Sequence, residues 1–521
     1  MSPRAGGGTM TPWILALDEG TTGATALVLD REGRVRGRGY REIPQHYPRP
    51  GWVEHEPDDL AGATFAAARA ALSAAGLRSV RDVARRIAAI GLTNQRETTL
   101  LWDRRTSQPI HPAIVWQCRR TADLCKALRE AGHEPRIRRQ TGLVLDPYFS
   151  GTKLTWLLRH VKGAARRAAR GELAFGTVDT WLIWRMTDGR AHVTDPTNAS
   201  RTLLYRSDRL ERARFDDGLL DLFEVPRAVL PEVRRSSGDF GATRGVRGLP
   251  DGLPILGVAG DQQAALYGQG CVTPGAVKNT YGTGCFLVSY TGARRIASRH
   301  GLVTTLACDA DGGPAYALEG SVFIAGAAVQ WLRDALGVIT RASDIEALAA
   351  SVPDALGTHF VPAFVGLGAP HWDSEARGAW IGLTRGAGRA HLARAVLDSI
   401  AWQSRDLLDA VVDDGAPRPR ELRVDGGAAA NDLLMQLQAD ALGLPVARPA
   451  IIETTALGAG MLAARALGWR DAFASARRVT ARFQPRRARA ERERALLAWR
   501  RAVESVRAAA RSAATRPGPR R

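Results

Sequence analysis

The sequence predicts an α/β protein built from two related halves. Short apolar runs of strand length alternate with longer alanine-rich stretches of helical length, and this alternation is typical of α/β architecture. A tip rich in glycine and threonine follows a predicted strand near residue 20 and again near residue 282, so one motif occurs twice. The 521 residues leave room for about two to four domains, and we expect a boundary near Gly268–Pro274.

In the first half, the apolar runs Trp13–Leu17 and Thr25–Leu29 flank a Gly/Thr turn, which predicts a hairpin. Leu60–Ala75 is rich in alanine and predicts a helix. Ile87–Leu92 predicts a strand that enters the polar cluster Thr93–Glu97. The remaining elements predicted here are helices over Thr121–Glu130, Lys153–His160 and Ala264–Gly268, and a strand over Ile255–Ala259.

The second half repeats this pattern after Gly270. Ala276–Thr280 and Cys285–Ser289 predict the strands of a second hairpin. Leu422–Val424 predicts a short strand that enters the turn Asp425–Gly427. The helices predicted in this half cover Ser321–Leu332, Ala390–Val411, Asn431–Ala441, Leu457–Leu467 and the basic stretch Glu491–Ser512.

The predicted organisation has four parts: a flexible leader over 1–12, an N-terminal domain over 13–268, a C-terminal domain over 269–500 and a basic tail over 501–521. No uncharged apolar run reaches the length of about 18 residues that a membrane-spanning helix needs. The apolar run near the N-terminus is too short for a secretory signal. We therefore expect no membrane span.

The composition excludes several classes of protein. Apolar residues make up 45% of the chain and charged residues 24%, which excludes disorder of the whole chain. The net charge is +19, but the basic residues are dispersed and no nucleic-acid-binding motif occurs, so we expect no nucleic-acid partner. The five cysteines form no CxxC pair, which argues against disulfides and zinc and favours a reducing, cytoplasmic location.

Three glycine-rich motifs could hold a nucleotide, although Walker A, Rossmann and protein-kinase patterns are absent. The tip Asp18–Gly23 offers backbone N–H groups, two hydroxyls and a carboxylate, which suit phosphate oxygens and hydrated Mg²⁺. Thr280–Gly284 is a second such tip. Val424–Ala428, followed by Asn431, is a strand–turn–helix whose glycines allow a ring or ribose to approach. Each motif alone is also typical of an ordinary turn or helix start.

The order of these motifs resembles the ATPase fold shared by actin, hexokinase and the Hsp70 chaperones, and the local residues resemble the FGGY carbohydrate kinases. Segments of that family are similar to Tyr148–Leu157, Gly378–Leu383 and His391–Asp398. The stretches similar to the members that phosphorylate glycerol are Gly91–Thr99, Ala113–Thr121, Gly260–Leu266 and Lys278–Phe286. The resemblance implies a two-domain, actin-like ATPase (ribonuclease H-like) α/β fold with an interdomain active-site cleft.

The resemblance also implies a function: ATP-dependent phosphorylation of glycerol to sn-glycerol 3-phosphate, the first step of glycerol catabolism, by a homo-oligomer (dimer or tetramer). Asp261 would be the general base. The residues implied to bind glycerol are Arg96, Glu97, Trp116, Tyr148, Asp261, Gln262 and Phe286. Those implied to bind the nucleotide are Thr21, Thr22, Gly282, Thr283, Gly326, Gln330, Gly427, Ala428 and Asn431. Those implied to hold Mg²⁺ are Asp18, through water, and Asp261.

These residue types suit that chemistry. A triol has hydroxyls and little apolar surface, so its recognition needs fixed donors and acceptors such as Arg96 and Glu97. Phosphoryl transfer needs in-line placement and charge neutralisation more than covalent help. Simpler interpretations are a surface ion pair for Arg96 and Glu97, a core position for Trp116 and a helix N-cap for Asp261.

The chain departs from the family pattern in its first phosphate loop. That loop usually has the sequence Asp-Gln-Gly-Thr-Thr-Ser, with an arginine soon after. Here Glu19 stands in place of the glutamine, and Gly23–Thr25 replaces the small polar pair and the arginine. A cation that would face the phosphates is therefore missing.

Three other functions use parts of the same sequence. A kinase that acts on another polyol or on a ketose would share the whole set of motifs. A nucleotide-dependent switch, as in actin or the chaperone ATPases, would keep the nucleotide motifs but has no use for Arg96, Glu97 and Trp116. A basic nucleic-acid binder would use only the positive charge.

Overall fold

The computed structural model describes residues 11–469, 473 and 476–514. Residues 1–10 of the predicted leader and 515–521 of the predicted tail lie outside this part. The chain divides into two compact units: unit 1 is Met1–Gly270, Thr305–Tyr316 and Thr454–Arg477, and unit 2 is Cys271–Thr304, Ala317–Glu453 and Arg478–Arg521. This division assigns Thr454–Arg477 to unit 1, whereas the predicted C-terminal domain over 269–500 contains that segment.

The strands, numbered in chain order, are β1 (Trp13–Glu19), β2 (Gly23–Leu29), β3 (Val35–Glu42), β4 (Glu54–His55), β5 (Ile87–Asn94), β6 (Leu100–Asp103), β7 (Ala113–Ile114), β8 (Leu173–Gly176), β9 (Val193–Thr194), β10 (Tyr205–Arg206), β11 (Arg214–Phe215), β12 (Glu232–Val233), β13 (Ile255–Gly260), β14 (Val277–Tyr281), β15 (Cys285–Gly292), β16 (Val303–Cys308), β17 (Pro314–Val322), β18 (His359–Val361), β19 (Ala379–Ile381), β20 (Leu422–Asp425), β21 (Val446–Pro449) and β22 (Val479–Phe483).

The α-helices, numbered in the same way, are α1 (Pro57–Ala74), α2 (Val80–Arg86), α3 (Ala122–Glu130), α4 (Glu134–Thr141), α5 (Ser150–His160), α6 (Ala164–Ala169), α7 (Val178–Met186), α8 (Pro196–Ala199), α9 (Asp217–Leu222), α10 (Asp261–Gly268), α11 (Gly326–Asp334), α12 (Asp344–Ala350), α13 (Arg389–Asp413), α14 (Asp432–Leu442), α15 (Thr454–Ala466) and α16 (Arg489–Ala514). None of these helices is long and apolar enough to cross a membrane.

Unit 1 is built on a five-stranded sheet in the order β13-β5-β1-β2-β3. β1 and β2 form the predicted antiparallel hairpin, with Ile14 opposite Leu29 and Glu19 opposite Ala24. β5 lies parallel to β1 on one side and to β13 on the other, while β3 is antiparallel to β2. Because β1, β5 and β13 are parallel, their carboxyl ends meet at one edge of the sheet, and the predicted site residues Asp18, Arg96 and Asp261 lie at or just after these ends.

Unit 1 buries both faces of this sheet. Side chains alternate along β1, so Leu15 joins the apolar cluster that includes α1 and α7, whereas Ala16 faces Gly460 of α15 on the opposite side. The edge strand β3 approaches α1 very closely. A Cβ built on Gly37 or Gly39 would lie 2.1 Å from a carbonyl oxygen of α1, so glycine is required at both positions.

The helices α10 and α15 are packed backbone to backbone. A Cβ on Gly458 of α15 would lie 1.8 Å from the carbonyl oxygen of Ala264, and one on Gly268 of α10 would lie 2.3 Å from that of Thr454. α15 also covers β1, β5 and β13. A segment near the end of the sequence therefore fixes the helix that begins with Asp261.

Unit 2 repeats the topology around a seven-stranded sheet in the order β16-β17-β15-β14-β20-β21-β22. β14 and β15 form the second predicted hairpin, and β14 is parallel to β20, as β1 is to β5 in unit 1. Two halves with related hairpins were predicted, and this pairing confirms them. The C-terminal helix α16 is tied to α13 by Asp406, which accepts hydrogen bonds from Trp499 Nε1 at 2.7 Å and Arg500 Nε at 2.9 Å.

One predicted helix begins too early. Ser321 and Val322 belong to β17, and α11 starts only at Gly326, so the helix predicted over Ser321–Leu332 is wrong in its first five residues. The run from Val322 is apolar and contains alanine, and periodicity alone does not separate a buried strand from a helix of that composition. Among the strands of the described residues, only β1, β2, β5, β13, β14, β15 and β20 were predicted, so the two large sheets also contain β3, β16, β17, β21 and β22, which were not.

We expect Gly458→Val to lower the free energy of unfolding by about 3 kcal/mol or more, because the new side chain would overlap the backbone of α10. Gly62→Ala in α1 is the matched control, since no atom lies within 4 Å of a Cβ built there. Chemical denaturation measures both variants. Equal midpoints for Gly458→Val and the unsubstituted protein would contradict the close packing of the two helices.

Candidate active site

The Arg96 guanidinium group is the centre of a buried polar cluster in unit 1. Its Nε lies 3.0 Å from Asp261 Oδ1, Nη1 donates to Gln263 Oε1 at 3.2 Å, and Nη2 donates to the Tyr148 hydroxyl at 3.4 Å. Arg96 is only 3% exposed, which excludes a surface ion pair. One side chain thus connects the ends of β5 and β13 with the loop before α5.

Glu97 lies beside Arg96 in a constrained backbone conformation. Its φ of 62° is in the left-handed region, which is costly for a residue with a side chain. The hydroxyls of Ser150 and Thr99 both donate to its carbonyl oxygen at 3.0 Å, and its carboxylate accepts Arg201 Nε at 2.5 Å. These contacts fix the Glu97 carboxylate as a buried acceptor.

Two aromatic side chains line the same cluster. The rings of Trp116 and Tyr148 meet edge to face with their centroids 5.5 Å apart, and Trp116 Nε1 donates to Thr21 Oγ1 at 2.9 Å. The loop that carries Tyr148 is held by Lys153, whose Nζ donates to the carbonyl oxygens of Pro147 and Tyr148 at 2.7 and 2.6 Å. Burial lowers the pKa of Lys153 to about 8. Trp116 therefore borders the cluster and also contacts Thr21, which lies in the turn between β1 and β2.

Asp261 is the first residue of α10, and the residue at the cap position is Gly260. The interpretation of Asp261 as an N-cap is therefore wrong by one position. Its Oδ1 accepts the backbone N–H of Gln262 at 2.7 Å, and Gln262 Nε2 donates to Oδ2 at 3.1 Å. The side chain is 29% exposed, so an alcohol can reach the carboxylate.

A second buried network supports the start of α10. The N–H of Gly260 donates to Thr197 Oγ1 at 2.8 Å, and Thr197 Oγ1 donates to Asp195 Oδ2 at 2.8 Å. Thr197 and Arg201 were missed in the sequence analysis, although the N-cap pattern of Asp195 before Pro196 was a local signal for a short helix there. Arg201 positions the predicted site residue Glu97, and Thr197 holds the backbone directly before Asp261.

The tip between β1 and β2 carries the residues predicted for the first phosphate loop. The N–H of Gly20 donates to the carbonyl oxygen of Gly23 at 3.1 Å, which closes the turn, and Ile43 N–H donates to the Thr22 carbonyl oxygen at 3.0 Å. Thr21 and Asp18 are partly exposed there. Both side chains are therefore in part accessible to solvent at this tip.

Unit 2 contains a cavity of about 550 Å³. All seven residues predicted to bind the nucleotide from this half line it: Gly282, Thr283, Gly326, Gln330, Gly427, Ala428 and Asn431. Phe286, predicted to bind glycerol, lies in the same unit as the second residue of β15, whereas the other six predicted glycerol residues lie in unit 1.

The hairpin tip that borders this cavity is bound to the start of α11. The N–H groups of Ala325 and Ala327 donate to the Thr283 carbonyl oxygen at 2.8 and 3.1 Å, and that of Gly326 donates to Gly282 at 3.0 Å. A Cβ on Gly326 would lie 2.5 Å from the Gly282 carbonyl oxygen. The N-terminus of α11 therefore fixes the tip.

Asn431 has a structural task as well as its predicted one. Its Oδ1 accepts the N–H of Leu434 at 2.7 Å and so caps α14, which leaves the Nδ2 amino group as the part that a ligand can use. Gly426, at the turn before it, has a φ of 83° and faces the backbone of Tyr281, so no other residue fits there without strain.

Comparison with known proteins identifies the family. The model of the N-terminal domain of the FGGY family of carbohydrate kinases matches residues 13–268, and that of the C-terminal domain matches residues 277–467. The chain belongs to the FGGY family of carbohydrate kinases. FGGY enzymes are phosphotransferases with an alcohol acceptor, so this chain is a kinase.

Relatives of this FGGY kinase match over nearly its whole length. A protein named glycerol kinase from Aromatoleum aromaticum is 56% identical over 498 residues, which cover 95% of this chain and 99% of the relative. Another of that name, from Alkalilimnicola ehrlichii, is 56% identical over 490 residues, which cover 94% and 97%.

Solved structures confirm the predicted two-domain α/β fold of actin-like ATPase type. The crystal structure of Plasmodium falciparum glycerol kinase with ADP has a TM-score of 0.86 and 32% identity, and the match covers 95% of this chain and 98% of that one. The gluconate kinase of Lactobacillus acidophilus shares the fold, with a TM-score of 0.82 and 21% identity over 96% of this chain and 98% of its own.

This FGGY kinase buries a carboxyl group at the end of β1. Glu19 is 0% exposed; its Oε1 accepts Gln95 Nε2 at 3.0 Å, but its Oε2 finds no hydrogen-bond partner among the described residues. Burial raises the pKa of Glu19 well above its usual value, and the charges of Asp18 and Asp261 raise it further. Glu19 therefore keeps its proton at pH values where an exposed glutamate has lost it.

We expect Glu19→Gln to stabilise the protein increasingly as the pH rises. The folded protein retains a proton on Glu19 that the unfolded chain releases above about pH 4.3, so the unsubstituted protein loses stability from that pH upward to the raised pKa, and glutamine removes this loss. Unfolding free energies between about pH 5 and about pH 8 test this. Glu211→Gln, at an exposed position, is the control. A pH-independent difference for Glu19→Gln would contradict a buried neutral carboxyl.

Proposed function

We propose that this FGGY kinase transfers the γ-phosphoryl group of ATP to glycerol and releases sn-glycerol 3-phosphate and ADP. The observation that carries the proposal is the buried cluster in unit 1, in which Arg96 and Gln262 contact the accessible carboxylate of Asp261 while Glu97 and Tyr148 lie beside Arg96. The relatives named glycerol kinase, at 56% identity over nearly the full length, support glycerol among the possible substrates of the family.

The cluster suits a small molecule with several hydroxyl groups. Arg96 can only donate hydrogen bonds and the Glu97 carboxylate can only accept them, so together they match hydroxyls that do both. Both are nearly fully buried, and a substrate that lacks a hydroxyl would leave a buried polar group without a partner. The Trp116 ring, edge to face with Tyr148, would contact the carbon side of the triol.

Asp261 would act as the general base. The attacking hydroxyl oxygen of glycerol forms a bond to the γ-phosphorus, the bond from that phosphorus to the β–γ bridging oxygen breaks, and ADP leaves with the electron pair. The hydroxyl proton passes to the Asp261 carboxylate. Arg96 at 3.0 Å and Gln262 at 3.1 Å hold this carboxylate in position for the transfer.

The cavity of unit 2 would hold the nucleoside of ATP, and the tip in each unit offers groups that suit phosphate oxygens. Thr21 and Thr22 offer hydroxyls in unit 1, and Gly282 and Thr283 border the cavity of about 550 Å³. This volume lies in the range of roughly 300 to 1,000 Å³ that is usual for pockets that bind small molecules. The Plasmodium falciparum relative, solved with ADP, supports an adenine nucleotide.

Mg²⁺ would be held by Asp18, through water, and by Asp261. Magnesium in kinases is bound by one or two carboxylates together with substrate phosphates. The charges of both carboxylates raise the pKa of Glu19, so both lie close enough to Glu19 to interact with it electrostatically. When bound, the ion would neutralise charge on the phosphates.

The cytoplasmic location and the homo-oligomeric state stay predictions. The cysteines of the described residues are all unpaired and buried.

We expect Asp261→Asn to lower kcat at least about 100-fold while glycerol still binds, because the amide cannot accept the proton but keeps the shape of the side chain. A coupled assay of ADP release, with and without glycerol, measures the loss. Asp221→Asn, on the exposed part of α9, should retain normal turnover. Near-normal kcat for Asp261→Asn would refute its role as the base.

We expect Arg96→Lys to raise the KM for glycerol about tenfold or more and to leave the KM for ATP nearly unchanged. Lysine keeps the charge but cannot bridge Asp261, Gln263 and Tyr148 at once. Xylulose and gluconate serve as competing substrates in the same assay. If either of them is phosphorylated better than glycerol, the site serves another polyol or a ketose.

A further inference from the structure

Tyr40 of β3 lies directly over the first phosphate loop. A Cβ built on Gly23 would lie 2.4 Å from the Tyr40 hydroxyl oxygen and 2.7 Å from two carbons of its ring. The phenol therefore fills the space that any side chain at position 23 would need. Tyr40 is nevertheless 47% exposed, and its hydroxyl has no hydrogen-bond partner among the described residues.

The strand register places Tyr40 on the same face of the sheet as Asp18. Thr25 of β2 is opposite Asp18 of β1 on one side and opposite Tyr40 of β3 on the other. Residues that face one another across neighbouring strands point to the same side of the sheet, and Gly23, two residues before Thr25, points to that side too. Tyr40 thus lies in one row with the carboxylate proposed to hold Mg²⁺ through water.

The family pattern has an arginine in this loop, but no lysine or arginine is present among Asp18, Gly23, Thr25 and Tyr40, which share this face. Thr25 and Gly23 are small, and neither carries a charge. A phenolic O–H is a hydrogen-bond donor, and phosphate oxygens are strong acceptors. The three atoms nearest to a Cβ built on Gly23 all belong to Tyr40, and one of them is the hydroxyl oxygen, so the structure places this donor against the tip.

We propose that Tyr40 binds the nucleotide, its hydroxyl donating a hydrogen bond to a phosphate oxygen held by the loop Gly20–Gly23. This inference rests on the proposed function, and it adds a phosphate ligand from β3 to a site otherwise built from the β1–β2 tip. The simpler role of an aromatic ring over a glycine is to shield the backbone of the hairpin. The two roles differ in whether the hydroxyl matters.

Tyr40→Phe separates these roles because it keeps the ring and removes only the hydroxyl. We expect the KM for ATP and the Kd for ADP, measured by titration calorimetry, to rise about fivefold, as for the loss of one hydrogen bond. The Kd for adenosine, the KM for glycerol and the Tm should stay unchanged. Tyr47→Phe is the matched control, since this tyrosine is 67% exposed and its hydroxyl donates to Gln45.

An unchanged affinity for ADP in Tyr40→Phe would overturn the inference, with or without a change in Tm, since the ring alone would then account for the contact. Equal weakening of ADP and adenosine would overturn it as well, because the contact would not be to phosphate. Failure of the proposed function gives a different result. In that case the unsubstituted protein releases no ADP in response to glycerol, whatever Tyr40→Phe does to nucleotide binding.

Discussion

The ion pair between Arg96 and Asp261 is the interaction on which the site depends. A charged group that is taken out of water must be paired and fully hydrogen-bonded, otherwise its burial is strongly unfavourable. Arg96 meets that condition through Asp261 at 3.0 Å, Gln263 at 3.2 Å and Tyr148 at 3.4 Å. Because those partners come from two separate parts of the chain, the start of α10 and the loop before α5, satisfying one buried charge also assembles the alcohol site.

The framework around this pair is made rigid by small residues. Gly458 brings α15 into backbone contact with α10, the helix that starts with Asp261. Gly257 of β13 leaves room for the backbone of α15, which would lie 2.4 Å from a Cβ built on this glycine. Larger residues would separate these elements. The carboxylate that would take the proton is therefore positioned by packing between backbones, which tolerates little displacement.

Unit 1 contains several buried ionisable groups whose pKa values are shifted by burial. Besides Glu19 and Lys153, Asp179 is fully buried, and desolvation together with the charge of Asp195 raises its pKa to about 7. Such groups weaken the fold unless they are hydrogen-bonded, and groups with shifted pKa values are often found at functional sites. At Glu19, where the family pattern has glutamine, this chain buries an additional carboxyl group, and that burial raises its pKa.

The amino-acid sequence alone determined the two hairpins, the parallel strands that follow them and the site residues that are neighbours in the chain, such as Arg96 with Glu97 and Thr21 with Thr22. These features depend on local patterns and on turn chemistry. Tertiary structure alone decided which distant residues support them. Arg201 reaches Glu97 across 104 positions, Thr197 reaches Gly260 across 63, and Tyr40 covers Gly23 only because β3 pairs with β2. No local pattern encodes such pairs, because a contact between distant residues exists only once the chain has closed the loop between them.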